Sequence, residues 1–248
     1  MNLSGRHVVV TGASSGIGLA TAEACKQAGA KLSIGARRVD RLPDLGEGSL
    51  RHELDVCDTG SIEAFLTAAR DKNGPIDVLV NNAGLARGTE TVASADGIAW
   101  REMIETNVVG LLEVTRRVVP EMIERESGDV VMIGSIAGHE TYEGGSVYCA
   151  TKRGVRSIAE GLRRETYRHG LRVMSVDPGM VDTEFSEVRF RGDRSKADKV
   201  YTGMRPLRAQ DIADCILFAI TRPSHVCLDD ILVMPTDQAS PTRVHRRD

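Results

Sequence analysis

Tyr148 and Lys152 stand four residues apart in Ser146-Val147-Tyr148-Cys149-Ala150-Thr151-Lys152, inside a segment whose periodicity predicts a helix from Ser146 to His169. Residues at that spacing lie one turn above each other on one helical face, so a phenol stands beside an ammonium. A free phenol has a pKa of about 10, too high to exchange protons readily at neutral pH, and a nearby cation favours the phenolate and lowers it. The pair therefore predicts a tyrosine able to give and take a proton. Taken alone, the same spacing also describes a tyrosine and a lysine on a solvated helix, and the rest of the chain decides between the two.

A second chemical device lies near the start. His7-Val8-Val9-Val10 reads as a strand and runs into Thr11-Gly12-Ala13-Ser14-Ser15-Gly16-Ile17-Gly18, after which apolar residues at helical spacing continue from Ile17 to Ala28 and stop at Gly29. Glycines let the backbone approach a pyrophosphate, and a helix N-terminus offers unpaired N–H groups with a partial positive charge. Gly12, Ser14, Ser15, Gly16, Ile17 and Gly18 are thus candidate contacts to a dinucleotide. Their G-x-x-x-G-x-G spacing is a variant of the usual fingerprint, and without a ligand it would make only a tight turn. The second strand candidate, Lys31 to Gly35, leads to Arg37 and Arg38 where an NAD site would place an acidic side chain for the ribose 2′-OH. Guanidinium forks suit a 2′-phosphate and predict NADP. The competing reading puts Asp40 on the ribose of NAD.

These groups need a scaffold. Ser49 to Leu54 predicts a third strand ending at Asp55-Val56, where Asp55 either meets an adenine or orders the turn. Ile76 to Val80 is a continuous apolar run, as in a strand buried on both faces, and it stops at Asn81-Asn82-Ala83-Gly84, where a nucleoside could lie against bare backbone. Gly97 to Glu126 predicts one long amphipathic helix, weakened or bent at Pro120, with Asn107 set in its apolar face as a structural tie or a member of a buried polar chain. Val130 to Ile133 is a strand that delivers Gly134-Ser135 at its end, where open parallel sheets bind ligands. Another strand, Leu171 to Val176, precedes Asp177-Pro178-Gly179-Met180-Val181-Asp182-Thr183. Residues 182–205 are charged and weakly patterned, as in a mobile lid; a helix follows from Pro206 to Thr221, and a last strand covers Ile231 to Val233. The tail, 235–248, lacks hydrophobic pattern and is expected to fray or to pack on a neighbouring subunit. Strands alternating with helices demand right-handed crossovers. The fold class is α/β: one doubly wound domain over residues 1–248, with a mostly parallel seven-stranded sheet covered by helices on both faces.

Composition narrows the partners. The 248 residues are 41% hydrophobic and 27% charged, ordinary for a globular protein with a sizeable core. A net charge of −3 provides no basic field for nucleic acid or an anionic membrane, and no apolar run approaches spanning length. With no basic-then-apolar leader after Met1, a cytoplasmic protein is the expectation. The five scattered cysteines read as reduced thiols, mostly in the core, with Cys149 singled out as a thiol open to alkylation beside Tyr148. No His, Cys and carboxylate spacing suits a metal.

Together, Thr11-Gly12-x3-Gly16-x-Gly18, Asn81-Asn82-Ala83-Gly84, Asn107, Ser135, Tyr148-x3-Lys152 and Pro178-Gly179 resemble the short-chain dehydrogenase/reductase family over essentially the whole chain, which implies a Rossmann-like fold. The resemblance implies Tyr148 as general acid/base and Ser135 as the group that polarises a substrate carbonyl. Lys152 would hold the nicotinamide ribose, and Asn107 would join a proton relay through water. It also implies cofactor contacts from Asp55, Val56, Asn82, Ala83, Gly84, Tyr148, Lys152, Pro178, Gly179, Val181 and Thr183. Asn81 to Ala86, Thr183 to Asp193 and Met234-Pro235-Thr236-Asp237-Gln238 are similar to the NADP-dependent 3-hydroxy acid, or serine, dehydrogenases. That branch acts on small hydroxy acids and the matching semialdehydes or keto acids. Ser135, Tyr148 and Arg189 are then the substrate contacts, with Arg189, Arg191 and Arg194 either meeting a carboxylate or remaining solvated. Alternatives are an aldehyde or ketone reductase resembling clavulanate dehydrogenase, a non-catalytic NADP-binding regulator, and a nucleotide-dependent methyltransferase with a different strand order. A homotetramer is expected through the two long helices, where Gly154 and Gly161 permit close contact.

Overall fold

Hydrophobic alternation in the first strand already divides the interior in two. In β1 (His7–Thr11) the side chains of Val8 and Val10 enter one apolar cluster while Val9 enters another, because successive residues of a strand face opposite sides. The computed structural model of the chain describes residues 2–247; Met1, and Asp248 at the end of the tail, lie outside them. Around β1 are laid β2 (Lys31–Ala36), β3 (Ser49–Glu53), β4 (Val78–Asn81), β5 (Gly128–Ile133), β6 (Leu171–Pro178) and β9 (Asp230–Val233). The sheet order is β3-β2-β1-β4-β5-β6-β9, and every neighbouring pair is parallel. A small two-stranded sheet, β7 (Val181–Asp182) with β8 (Leu207–Arg208), stands apart.

Helices cover both faces. On one side α1 (Gly16–Gln27) and α8 (Ala209–Ile220) bring Ala22, Cys25, Ile212 and Ile216 onto Val8, Val10, Leu32 and Val131. On the other, α2 (Thr59–Asn73), α4 (Leu111–Glu124) and α5 (Ser146–Thr166) press Phe65, Leu66, Val114, Val118 and Val155 onto Val9, Leu79, Val130 and Val173. Asp58 caps α2, accepting from the amides of Gly60 and Ser61. Among the described residues no helix is long and apolar enough to cross a membrane.

Three stretches depart from the sequence reading. The helix expected over 97–126 is α3 (Gly97–Ile104), a π-helical turn at Glu105–Gly110, then α4. The irregularity sits around Asn107 and not at Pro120, which lies inside α4. A π turn holds one extra residue, and here it brings the Asn107 amide onto the Leu85 backbone. Residues 182–205, read from the sequence as weakly patterned, contain α6 (Phe185–Arg189) and α7 (Arg194–Tyr201). The tail is anchored on its own chain: Asp237 and Gln238 are buried, Gln238 accepts from the Met180 amide at 2.7 Å, and Asp237 takes the Arg205 amide and the Arg247 guanidinium.

The early ends of β5 and β6 are tied by charge. Arg172 grips Asp129 with two bonds of 2.6 Å, Arg6 adds a third at 2.8 Å, and the remaining Arg172 donors reach carbonyls that include Ile220 and Arg222. Removing one member of a buried pair leaves the other charge without its counter-ion. Asp129→Asn is expected to cost about 3–5 kcal/mol, read from the urea midpoint at unchanged m-value; a loss no larger than that of a surface substitution would contradict the role given to the pair.

Candidate active site

The carboxyl ends of the strands open into a cleft of about 990 Å³, at the upper end of the ~300–1,000 Å³ typical of small-molecule sites. One wall is the turn after β1. Gly12 has φ +69°, and a Cβ there would stand 2.9 Å from Ala83 Cα, so glycine is required both for the backbone and for the close approach of the turn after β4. Asn82 clamps the two turns by donating to the carbonyls of Thr11 and Gly12, at 2.8 and 3.0 Å, while Thr11 Oγ1 accepts from the amides of Asn82 and Ala83. Ser15, the N-cap of α1, makes no side-chain cap. The start of the helix therefore faces the cleft lined by Ser14, Ser15, Gly16 and Ile17, an arrangement that suits an anion. Gly18 belongs to a different category from its neighbours. It does not line the cleft but packs under it, where a Cβ would approach Gly12 O to 2.5 Å.

At the end of β2, Arg37 and Arg38 both line the cleft, joined by Arg41, which the sequence analysis passed over. Arg38 reaches Glu184 at 3.0 Å and the Ser15 hydroxyl at 3.4 Å, and Arg41 shares the same carboxylate at 3.2 Å. Asp40 is not among the lining residues. Asp55 and Val56 line the next stretch, with Asp55 ordering its turn by accepting from the Cys57 amide. Ala83 and Gly84 form the floor, and Pro178, Gly179, Val181 and Thr183 the roof. An anion-accepting helix end, a groove floored by bare backbone and a basic rim fit a phosphorylated dinucleotide.

The deep end is built by α5. Its amphipathic pattern buries Tyr148, Thr151, Lys152 and Val155 along one face. Lys152 Nζ donates to Ile133 O at 2.8 Å, and a Cβ on Gly84 would stand 3.6 Å from that nitrogen, so the ammonium borders the bare backbone of the floor. Burial pulls the lysine down to about 8, with Asp177 opposing the fall. Ser135 caps a short turn at 136–138 and lines the cleft with Tyr148. Asn107 is buried and is not among the residues lining the cleft; its amide is held by both backbone groups of Leu85 and by Thr151, so it ties the turn after β4 to α5.

The expected direction of the tyrosine shift is reversed. Tyr148 is pushed well above the usual phenol range, because burial disfavours the phenolate, and the positive charge that opposes the rise most is Arg189 rather than Lys152, with the Ser135 hydroxyl helping. Helical spacing places a lysine on the right face but says nothing of depth. Arg189 enters from α6: its guanidinium carbon lies 5.2 Å from the Tyr148 ring centroid and 5.6 Å from that of Phe185, and it donates to the Tyr142 hydroxyl at 2.8 Å. Its Nε is buried and lacks a partner among the described residues. Arg191 and Arg194 also line the cleft, but they are exposed and pair with Glu102 and Glu187. Cys149 is buried, its thiol pushed up by burial, so the alkylation expected there does not match its setting. Cys25 and Cys149 are the buried cysteines; Cys57 and Cys227 are exposed.

Residues 6–193 match the family model described as short chain dehydrogenase. The chain is 44% identical to an NADP-dependent 3-hydroxy acid dehydrogenase of Schizosaccharomyces pombe, over 99% of this chain and 98% of that protein. It is 38% identical to a serine 3-dehydrogenase of Agrobacterium fabrum, over 94% of each. Among solved structures, the closed form of a serine dehydrogenase complexed with NADP+ superposes with a TM-score of 0.92 at 39% identity, covering 97% of this chain and all (100%) of that one.

The packing under the turn yields a direct check. Gly18→Ala should force Asn82 and the Gly12 carbonyl apart and cost about 1–3 kcal/mol in thermal unfolding; an unshifted midpoint would mean that the clamp is loose.

Proposed function

The chain belongs to the short-chain dehydrogenase family, and on that ground we propose that it is an NADP(H)-dependent oxidoreductase acting on a small 3-hydroxy acid such as serine, and on the matching keto acid or semialdehyde. The observation that carries the substrate class is the half-buried Arg189, stacked on Tyr148 with its buried Nε unpaired among the described residues. A carboxylate is the partner such a cation lacks.

The residues fit the cofactor. The turn Gly12 to Ile17 and the open end of α1 would take its diphosphate, Arg37 and Arg38 its 2′-phosphate, and Lys152 beside Gly84 its nicotinamide ribose, with Asp55, Val56, Asn82, Ala83, Pro178, Gly179, Val181 and Thr183 along the groove. When bound, the nicotinamide supplies or accepts a hydride. The chain handles the accompanying proton. In the reducing direction charge grows on the substrate oxygen, and Ser135 and Tyr148 are the two hydroxyls available there to donate to it. Because burial holds Tyr148 as a phenol, it keeps a proton to give to that oxygen at neutral pH. Arg189, the cation over the Tyr148 ring, favours the resulting phenolate, while Lys152 is held for the ribose. Asn107 supports this end by fixing Leu85 and Thr151, and through them the start of α5.

The proposal extends to a cytoplasmic homotetramer. Ile104, Val109 and Leu112 are exposed apolar side chains along α3 to α4, and no atom lies within 4 Å of where a Cβ on Gly161 of α5 would be, which leaves both helices with surface fit for a second copy.

Tyr148→Phe should lower kcat about 100- to 10,000-fold while NADPH still quenches or shifts protein fluorescence with an unchanged Kd; turnover near that of the parent protein would refute the proton-transfer role. Arg189→Met should lower kcat/KM for serine or 3-hydroxypropionate about 10- to 100-fold, the worth of a charged hydrogen bond, and leave an uncharged alcohol of similar size much less affected. Equal losses on both substrates would remove the carboxylate from the account.

A further inference from the structure

Behind the proton-transfer end lies a buried acid that the reaction has not used. Asp177, at the end of β6, is fully buried. One oxygen accepts from the Ser175 hydroxyl; the other meets His139 Nε2 at 2.5 Å and Arg156 Nε at 3.3 Å. Arg156 also binds Asp230 at 2.5 Å, and His139 Nε2 stands 3.8 Å from the same carboxylate. His139, Asp177 and Asp230 could together offer ligand atoms to a metal, but Arg156 already pairs with both carboxylates, leaving one negative charge of the two uncompensated by it.

The position of Asp177 is what gives it consequence. A Cβ on Gly134 would stand 2.7 Å from Asp177 Cγ, so the carboxylate lies directly against the Gly134 peptide, and only glycine fits there. The residue before Gly134 is Ile133, whose carbonyl accepts from Lys152; the residue after it is Ser135. The turn that starts at Ser135 ends at His139, which Asp177 holds, and Arg153 fixes the same turn through the carbonyls of Gly138 and His139. One carboxylate thus abuts the peptide on which both groups depend. The groups facing it are His139 from the turn, Ser175 from its own strand, Arg156 and Lys152 from α5, and Asp230 from β9.

We propose that Asp177 is a positioning residue of the proton-transfer site, a buried counter-charge that keeps Lys152 an ammonium and braces the Gly134-Ser135 peptide from behind. The proposal rests on the roles given to Lys152 and Ser135 above. Its physical content is a sign. Burial lowers the affinity of Lys152 for its proton and Asp177 raises it, so loss of the carboxylate charge must release that proton at lower pH.

Protein labelled with 13Cε-lysine and titrated by NMR, with the Lys152 signal assigned from its loss in Lys152→Arg, reads this directly. In Asp177→Asn the Lys152 midpoint should fall by about one pH unit, a tenfold change in proton affinity, and the alkaline limb of the kcat/KM profile should move down with it. An unmoved midpoint overturns the proposal, even if activity drops, since a purely structural role would lower rates without moving the titration. Asp177→Ser removes the same charge with less bulk and is read the same way should Asp177→Asn fail to fold. The NMR midpoint does not require turnover, so failure here is distinct from failure of the assigned reaction, which Tyr148→Phe decides.

Discussion

The Lys152 ammonium, buried to 6% exposure and donating to a main-chain carbonyl at the end of β5, is the interaction on which the site turns. An ammonium out of water is costly unless its donors are met and a negative charge lies near. The Ile133 carbonyl and the nearby Asp177 supply those two needs, and both sit at carboxyl ends of neighbouring strands. The charge can exist there only because the parallel sheet brings the ends of β5 and β6 together, with Gly134 leaving room between them. Fold and chemistry meet in that contact.

A second consequence concerns how the deep end divides its labour. Tyr148 is held as a phenol by burial, and the cation over its ring comes from the lid, while the cation one turn along α5 borders the floor of the groove. The two positive charges therefore address different partners. Lys152 faces the part of the cleft floored by Gly84, and Arg189 faces the part walled by Tyr142 and Phe185.

Periodicity made much of this legible. Val8 and Val10 against Val9, the apolar run before Asn81, and the buried face of α5 are local signals that survive folding, and they located the strands and the Tyr148 and Lys152 pair. What spacing does not encode is depth and long-range partnership. Tyr148 is displaced upwards because several elements close over it. Arg189 could be picked out as a substrate contact, yet its stacking on a phenol 41 residues earlier in the chain depends on how α6 folds back. Tyr142 and Arg41 lie in segments with no periodic pattern and carried no signal. Pro120 was the obvious place for a helix to fail, but the π turn formed where a buried asparagine needed both backbone groups of Leu85, a demand set by tertiary contact. The tail looked featureless because its anchors, Asp237 and Gln238, are polar side chains serving backbone groups of Arg205 and Met180.

The segment 182–205 lines both halves of the cleft, but is not held at each with equal strength. At the outer end Glu184 pairs with Arg38 and Arg41, and all three side chains are more than 40% exposed. Solvent weakens such pairs to about 0–1 kcal/mol. At the inner end Arg189 lies over two neighbouring rings, its main-chain carbonyl accepts from the Gly88 amide at 3.0 Å, and Tyr201 of α7 bonds both Ser186 and the Val181 carbonyl. Separating the inner contacts exposes aromatic surface and strips a half-buried guanidinium of its hydrogen bond, whereas separating the outer pair only rehydrates charges already in water. Of the segment's two attachments, the Glu184 pair is therefore the weaker and the contacts around Arg189 the stronger.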